Sequence, residues 1–281
     1  MNKQIDFMKD LYCRYVDDEV TALGAQLTYY LILAFFPFLI FLVAIINYTP
    51  LTSDQVLNDL ISILPSDTRR IVMEILSEIL TTKSQTLLSI GMVATIWAAS
   101  NGIMAIIRGL NKAYDAEETR SFWKIRGMSI IFTIAIIVMI ILSFGSLIFG
   151  EWIGMQLFRY LNYPDGFEPV WNIIKLIMPV VLGLLIFMFM YVAFPNRHLS
   201  YKAVIPGALF AAFGWIIISF LFSIYINNFG NYSKVYGSIG GVIVLLIWLY
   251  ISSIIMIVGG EINAALQFIR EGREKDRCKK F

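Results

Sequence analysis

The sequence predicts an all-α integral membrane protein with six transmembrane helices, an N-terminal amphipathic helix and an outer helical hairpin. Hydrophobic residues make up 58% of its 281 residues and charged residues only 15%, whereas soluble domains are about 45–50% apolar and about 25% charged. Six stretches of at least 21 residues contain no Asp, Glu, Lys or Arg, and roughly 20 apolar residues suffice for a helix to cross the bilayer. This composition excludes a soluble enzyme, a disordered chain and a disulfide-stapled secreted domain.

The charge-free stretches place the six transmembrane helices along the chain. They are Val20–Ser53, Ser84–Ile107, Gly127–Gly150, Leu176–Asn196, Ala203–Ser233 and Val235–Gly260. Because the longest stretches include loop residues, we predict helices, numbered as spans one to six, over 23–46, 86–107, 127–150, 174–194, 203–226 and 239–262. A β-barrel would instead show alternating segments of about 10 residues.

The first 20 residues predict a helix on the membrane surface and not a signal peptide. They carry five acidic residues and no short apolar run. Apolar residues recur near helical spacing at Ile5, Met8, Tyr12, Tyr15 and Val16, which is the pattern of an amphipathic helix.

The long segment 47–85 predicts an amphipathic helical hairpin on the outer side of the membrane. Thr52 and Gln55 fit a capping box at the start of its first helix. Pro65 begins the second helix, whose apolar residues within 71–80 keep helical period on one face. We expect this apolar face to lie on the outer ends of the bundle.

The distribution of Lys and Arg predicts the orientation of the chain. With the N-terminus inside, sixteen of these residues fall in inner segments and six in outer segments, and positive residues favour the cytoplasmic side. Both termini are therefore predicted to be cytoplasmic. Residues 1–268 form a single transmembrane domain in this interpretation, and residues 269–281 form a basic cytoplasmic tail.

Polar residues are unevenly shared among the spans. Spans three and four are almost entirely aliphatic and aromatic, and we predict that they face lipid. Polar groups in hydrocarbon cost free energy unless they are satisfied, so spans one, two, five and six should surround a central polar cavity. The candidate cavity residues are Gln26, Tyr29, Tyr30, Asn101, Arg108, Tyr250, Ser253, Glu261 and Asn263.

Arg108 and Glu261 stand out among these candidates because they carry opposite charges. Helical period places each of them on the polar face of its span, near the cytoplasmic edge. Two interpretations stay open at this point: the two side chains form an ion pair, or each reaches separately to the inner headgroups.

Small residues mark two places, one at the start of span six and one near its end. Gly237 and Gly241 form a small-xxx-small pattern, and Gly259 and Gly260 directly precede Glu261. Such glycines allow close helix packing. Alternatively, they interrupt a helix whose backbone then binds an ion or substrate. Packing is the favoured interpretation at both places.

Several motifs together resemble the YihY/BrkB family of bacterial inner-membrane proteins. They are Ala22–Tyr30 with Pro37, Trp97-x-x-Ser100-Asn101-Gly102, Arg108–Tyr114 with Arg120–Lys124, Pro195-Asn196-Arg197, Pro206-Gly207-Ala208, and Tyr236-Gly237-Ser238 through Trp248-Leu249-Tyr250 to Gly260-Glu261-x-Asn263-Ala264. The resemblance implies a six-helix protein of the bacterial plasma membrane. Proteins of this type have carried a ribonuclease label and have also been discussed as transporters or envelope factors, and no agreed catalytic residues carry over.

The residues themselves argue against catalysis and against bound cofactors. The chain contains one histidine, His198, so a multi-histidine metal site is excluded. Its cytoplasmic acidic residues alternate with Lys and Arg, and it lacks a phosphate-binding P-loop. With a net charge of only +2, a nucleic-acid partner is not expected.

Two hypotheses about function follow. The first is a transporter or an envelope-lipid-handling protein, with a lipid or small molecule as its substrate and the lipid bilayer as its surroundings. The second is a non-catalytic membrane scaffold or envelope assembly factor. The first requires an accessible cavity in the bundle, whereas the second permits a tightly packed core and requires a partner.

Overall fold

A computed structural model of the chain describes residues 3–48, 85–160, 167–229, 240–273 and 275. This part of the chain forms seven helices and no strand. The helices are α1 (Lys3–Asp17), α2 (Val20–Tyr48), α3 (Gln85–Ala113), α4 (Phe122–Tyr160), α5 (Phe167–Ala193), α6 (Tyr201–Phe229) and α7 (Gly240–Glu271). Almost all of the predicted outer hairpin lies outside the described residues, as does Gly237.

The six predicted spans correspond to α2 through α7. Each of these helices is long and apolar enough to cross a membrane, so the predicted fold class is confirmed. Helices α3 to α7 extend beyond the charge-free stretches, and α7 continues past 262 to Glu271. It ends at Gly272, whose φ of +64° is the left-handed conformation that commonly closes a helix.

Helix α7 is the centre of the packing. It contacts α6 most extensively, then α2, and also α1 and α3. The most extensive contact between neighbouring helices joins α2 and α3, and α4 packs at the periphery against α3 and α5. Spans one, two, five and six therefore lie around the centre, as the distribution of polar residues predicts.

The crossing of α6 and α7 depends on small residues. Gly207 lies so close to α7 that an added Cβ would overlap the carbonyl oxygen of Gly259. The Gly207 backbone N–H donates a hydrogen bond to Asn263 Oδ1 at 2.7 Å. Ala208 and Ala211 continue this surface and are fully buried. Small residues at this spacing let two helix backbones approach closely.

Helix α5, which we predicted to face lipid, has many exposed apolar side chains, but its C-terminal end also contributes to the core. Tyr191 and Phe194 are 0% and 1% exposed. The Tyr191 hydroxyl donates a hydrogen bond to the backbone oxygen of Met256 on α7 at 2.6 Å. Sequence composition could not indicate this, because a mainly aliphatic helix can be buried against protein as readily as against lipid.

Helix α1, the α3–α4 loop, the α5–α6 loop and the end of α7 lie together at one end of the bundle. We call this end the base. Helix α1 exposes apolar side chains that an amphipathic helix of a soluble protein would usually bury. Its apolar side chains Met8, Tyr12 and Val16 are 61%, 71% and 53% exposed, whereas Arg14 is 1% exposed. Arg14 therefore faces the protein, and the exposed apolar side chains are left to contact the bilayer surface.

Candidate functional site

The bundle contains one large cavity with apolar walls, and its volume is about 720 Å³. Most of its lining residues lie on α2, α3, α4 and α5. Among them are Leu31, Ile106, Ile136, Gly183, Leu185 and Phe189. Leu185 and Phe189 are 55% and 50% exposed, so the part of the wall that α5 forms is not enclosed by protein.

Two threonines in the cavity wall do not make it polar. The Thr95 hydroxyl donates to the Gly91 carbonyl oxygen of its own helix at 2.6 Å, and the Thr133 hydroxyl donates to the Ser129 carbonyl oxygen at 2.9 Å. Hydroxyl groups satisfied in this way leave methyl groups to face the cavity. The wall therefore offers hydrocarbon, and no charged side chain of the described residues lines it.

The polar residues predicted to line a cavity occupy other places. None of the nine lines the apolar cavity. Tyr29 and Arg108 are exposed. The half-buried members are Gln26, Tyr30, Asn101 and Tyr250, and the buried members are Ser253, Glu261 and Asn263.

Several of these polar side chains lie between helices and contact the neighbouring helix. The hydroxyls of Thr28 on α2 and Ser253 on α7 lie 3.4 Å apart. Asn101 on α3 accepts a 2.6 Å hydrogen bond from Arg126 on α4, whose guanidinium group also lies 3.9 Å from the ring centre of Trp97. These contacts hold helices together where we predicted that polar residues would surround a central cavity.

Of the two interpretations left open for Arg108 and Glu261, the ion pair does not form in the structure. Arg108 is exposed, and Glu261 is 0% exposed. Helical period places both side chains at similar depth, but it does not determine which way α3 and α7 rotate about their own axes. The alternative interpretation for Arg108, a side chain reaching outward on its own, agrees with its exposure.

Glu261 instead belongs to a buried charge cluster at the base, which consists of Arg14, Asp18, Glu261 and Lys275. All four residues are at most 3% exposed. Lys275 pairs with Asp18, and its ammonium group lies 3.3 Å from the Lys112 carbonyl oxygen. Sequence reasoning missed this cluster because its members are distant along the chain.

Arg14 is held in the cluster by three contacts. Its Nε donates to Asp10 Oδ2 at 2.8 Å, and its Nη1 donates to the Ala113 carbonyl oxygen at 3.3 Å. The guanidinium group also lies 4.6 Å from the ring centre of Phe268 on α7. The only sequence signal for this was the i, i+4 spacing of Asp10 and Arg14, which is common on exposed helix faces.

A second set of polar contacts joins the two loops at the base. The backbone N–H of Asn196 donates to Asn111 Oδ1 at 2.7 Å, and Asn111 Nδ2 donates to Glu118 Oε2 at 2.8 Å. Arg120 pairs with Glu118 at 2.6 Å and donates to the Phe194 carbonyl oxygen at 2.8 Å. The hydrogen bonds from Arg120 are the main cause that lowers the pKa of Glu118 to about 2.

Replacing Glu118 with glutamine is expected to lower Tm at neutral pH and to have no effect at low pH. The Glu118 pKa is about 2 in the folded protein, against an ordinary value of 4.5. Its carboxylate therefore stabilises the fold above about pH 4.5, and that contribution is lost as the pH falls toward 2. Thermal unfolding of wild type and Glu118→Gln in detergent across this pH range measures the difference in Tm between them. A difference that does not change with pH would contradict the lowered pKa of Glu118. Glu117→Gln serves as the neighbouring control.

Most of this chain is similar in sequence to a known protein family. The family model described as Virulence factor BrkB matches residues 11–280. The chain belongs to the BrkB family. The resemblance drawn from its motifs is confirmed, and no solved structure matches this BrkB-family protein.

Relatives of this BrkB-family protein carry two kinds of name. The putative ribonuclease-like protein YfkH of Bacillus subtilis is 44% identical over 93% of this chain and 95% of its own length. UPF0761 membrane proteins of Pseudoalteromonas translucida and Psychromonas ingrahamii are each 26% identical, over 90% and 94% of this chain and 83% and 89% of their own lengths.

The chemistry of the base bears on the ribonuclease-like name. Metal-dependent phosphodiester cleavage needs clustered ligands that hold metal ions. Within the described ranges, no group of three His, Cys, Asp or Glu residues could hold a metal ion. The acidic groups of Glu118 and Glu271 are instead paired with Arg120 and Arg197.

Proposed function

We propose that this BrkB-family membrane protein handles lipids of the bacterial envelope by taking an acyl chain into the apolar cavity. The observation that carries the proposal is the cavity itself, with about 720 Å³ of space walled by hydrocarbon and open beside α5. Ligand pockets commonly have volumes of roughly 300–1,000 Å³. An aqueous solute would find no polar partner in this wall, whereas a lipid chain loses nothing by entering it.

We also propose an orientation of the protein in the membrane and a non-catalytic role. The base faces the cytoplasm of a bacterial plasma membrane, as the excess of Lys and Arg in its segments supports. The protein moves or presents lipid and does not cleave a bond, and the paired acidic groups at the base support this non-catalytic role. The division into a 1–268 transmembrane domain and a 269–281 tail belongs to the same proposal.

Gly183→Phe tests the cavity directly. Gly183 lies in the cavity wall, and a Cβ added there would meet no atom within 4 Å, so a phenyl ring should fill part of the space. In vesicles containing a phospholipid with a photoreactive acyl chain, we expect crosslinking within α4 and α5 to fall at least about tenfold relative to wild type. Movement of a fluorescent phospholipid between leaflets should fall in parallel.

Gly127→Phe is the matched control for this substitution. A Cβ at Gly127 on α4 also meets no atom within 4 Å, but Gly127 does not line the cavity. Gly183→Ala controls for the helix stabilisation of about 1 kcal/mol that follows loss of a glycine. Equal crosslinking in both phenylalanine variants would remove the cavity as the lipid site. Crosslinking without any leaflet movement in wild type would instead favour the scaffold hypothesis.

A further inference from the structure

Glu261 is the most completely buried acidic side chain of the charge cluster. It is 0% exposed, and neither of its carboxylate oxygens has a hydrogen-bond partner among the described residues. An ionised carboxylate in such a place would lose its hydration without replacement. That loss is one of the costliest events in a protein interior.

The charged groups around Glu261 come from several elements. Arg14 on α1, Asp18 between α1 and α2, and Lys275 after α7 interact with it electrostatically, and so does Tyr114 at the end of α3. Helix α2 has no charged residue, and the one charged residue of α6, Lys202, is exposed.

Both neighbouring cations already have anionic partners. Arg14 is paired with Asp10 at 2.8 Å. Lys275 is paired with Asp18 and lies 3.8 Å from Asp115 Oδ1. An ionised Glu261 would therefore add a surplus negative charge beside Asp18. When two carboxyl groups share a buried site, one of them retains a proton.

We propose that Glu261 is a proton-binding site inside the bundle, with its carboxyl group protonated while Asp18 keeps the negative charge that Lys275 neutralises. Two carboxylates cannot hydrogen-bond to each other, since both are acceptors. With one proton present, the Glu261 O–H becomes a donor that faces Asp18. Loss of that proton would create a second anion competing for Lys275. The proton thereby controls the contact between α7 and the α1–α2 junction, and this site does not depend on the lipid cavity.

Infrared spectroscopy of the full chain in phospholipid vesicles at pH 7 tests the proposal, because a protonated carboxyl group has a C=O stretching band that carboxylates lack. We expect wild type to show this band, shifted in D₂O, and Glu261→Gln to lose it. Glu271→Gln should keep the band, because that exposed acid of the same helix pairs with Arg197 at 2.5 Å.

Asp18→Asn provides a second test that does not alter Glu261. Without the competing anion, Lys275 becomes available to Glu261, so Glu261 should ionise and the band should disappear. A wild-type spectrum without the band would overturn the proposal, as would a band that persists in either Glu261→Gln or Asp18→Asn. If the band is missing and sodium ions raise Tm, the site binds a metal cation, and the proposal is also overturned.

Discussion

Replacing Gly207 with alanine is expected to lower the free energy of unfolding by about 3 kcal/mol, the upper end of the usual cost of overpacking. The added Cβ would overlap the backbone oxygen of Gly259 and also lie too close to the Asn263 amide. Backbone atoms cannot rotate away, so α6 and α7 must separate and strain the hydrogen bond from Gly207 to Asn263. Denaturant titration in detergent, followed by circular dichroism, measures the loss.

Gly214→Ala is the control, because it makes the same change two turns along the same face of α6. There the added Cβ would meet only Cγ2 of Ile255, at 3.1 Å, and a side-chain methyl group can move aside. Its effect should stay within about 1 kcal/mol, since alanine also favours the helix by about that amount. Equal losses of stability in the two variants would show that α6 and α7 are not unusually close at Gly207 in the membrane.

Replacing Lys275 with methionine is expected to lower the free energy of unfolding by about 3–5 kcal/mol, the cost of removing one partner from a buried ion pair. Lys275 and Asp18 each have a side chain only 3% exposed. Without the ammonium group, the Asp18 carboxylate stays buried with no cation to neutralise it. The same detergent titration reports the change.

Lys112→Met controls for the loss of a lysine at the same end of the bundle. Lys112 pairs with Glu19 at 3.1 Å, but these side chains are 34% and 71% exposed, and exposed pairs contribute about 1 kcal/mol or less. The double substitution Asp18→Asn with Lys275→Met should recover most of the stability, because it removes both charges together. Failure of the double variant to recover would contradict the ion-pair explanation.

The lipid cavity and the charge cluster show how far sequence reasoning reaches into the candidate site. Both depend on which side of each helix faces its neighbours. Helical period correctly placed Trp97, Asn101 and Arg108 on one face of α3. That face is directed away from the cavity, whose α3 wall includes Gly102 and Ile106. Periodicity groups residues on a face but does not say what the face contacts.

Polarity is an uncertain guide to a membrane cavity for a related reason. In hydrocarbon, polar side chains gain most from hydrogen bonds to adjacent helices, and Ser253, Asn263 and Asn101 make such contacts. A site for a lipid chain needs the opposite, a wall of aliphatic side chains. Spans three and four were predicted to face lipid because of that composition, and they supply much of the cavity wall.

The sequence by itself determined the fold class, the six spans and membership of the BrkB family. Hydropathy and charge are local properties, and roughly 20 consecutive apolar residues have few alternatives to crossing a bilayer. Only the tertiary structure decided that Glu261 is buried in a charge cluster with Asp18 and Lys275 and is not paired with Arg108. It also placed the apolar cavity among α2, α3, α4 and α5. These arrangements depend on the rotation and close approach of helices, which are set by contacts between residues far apart in the chain.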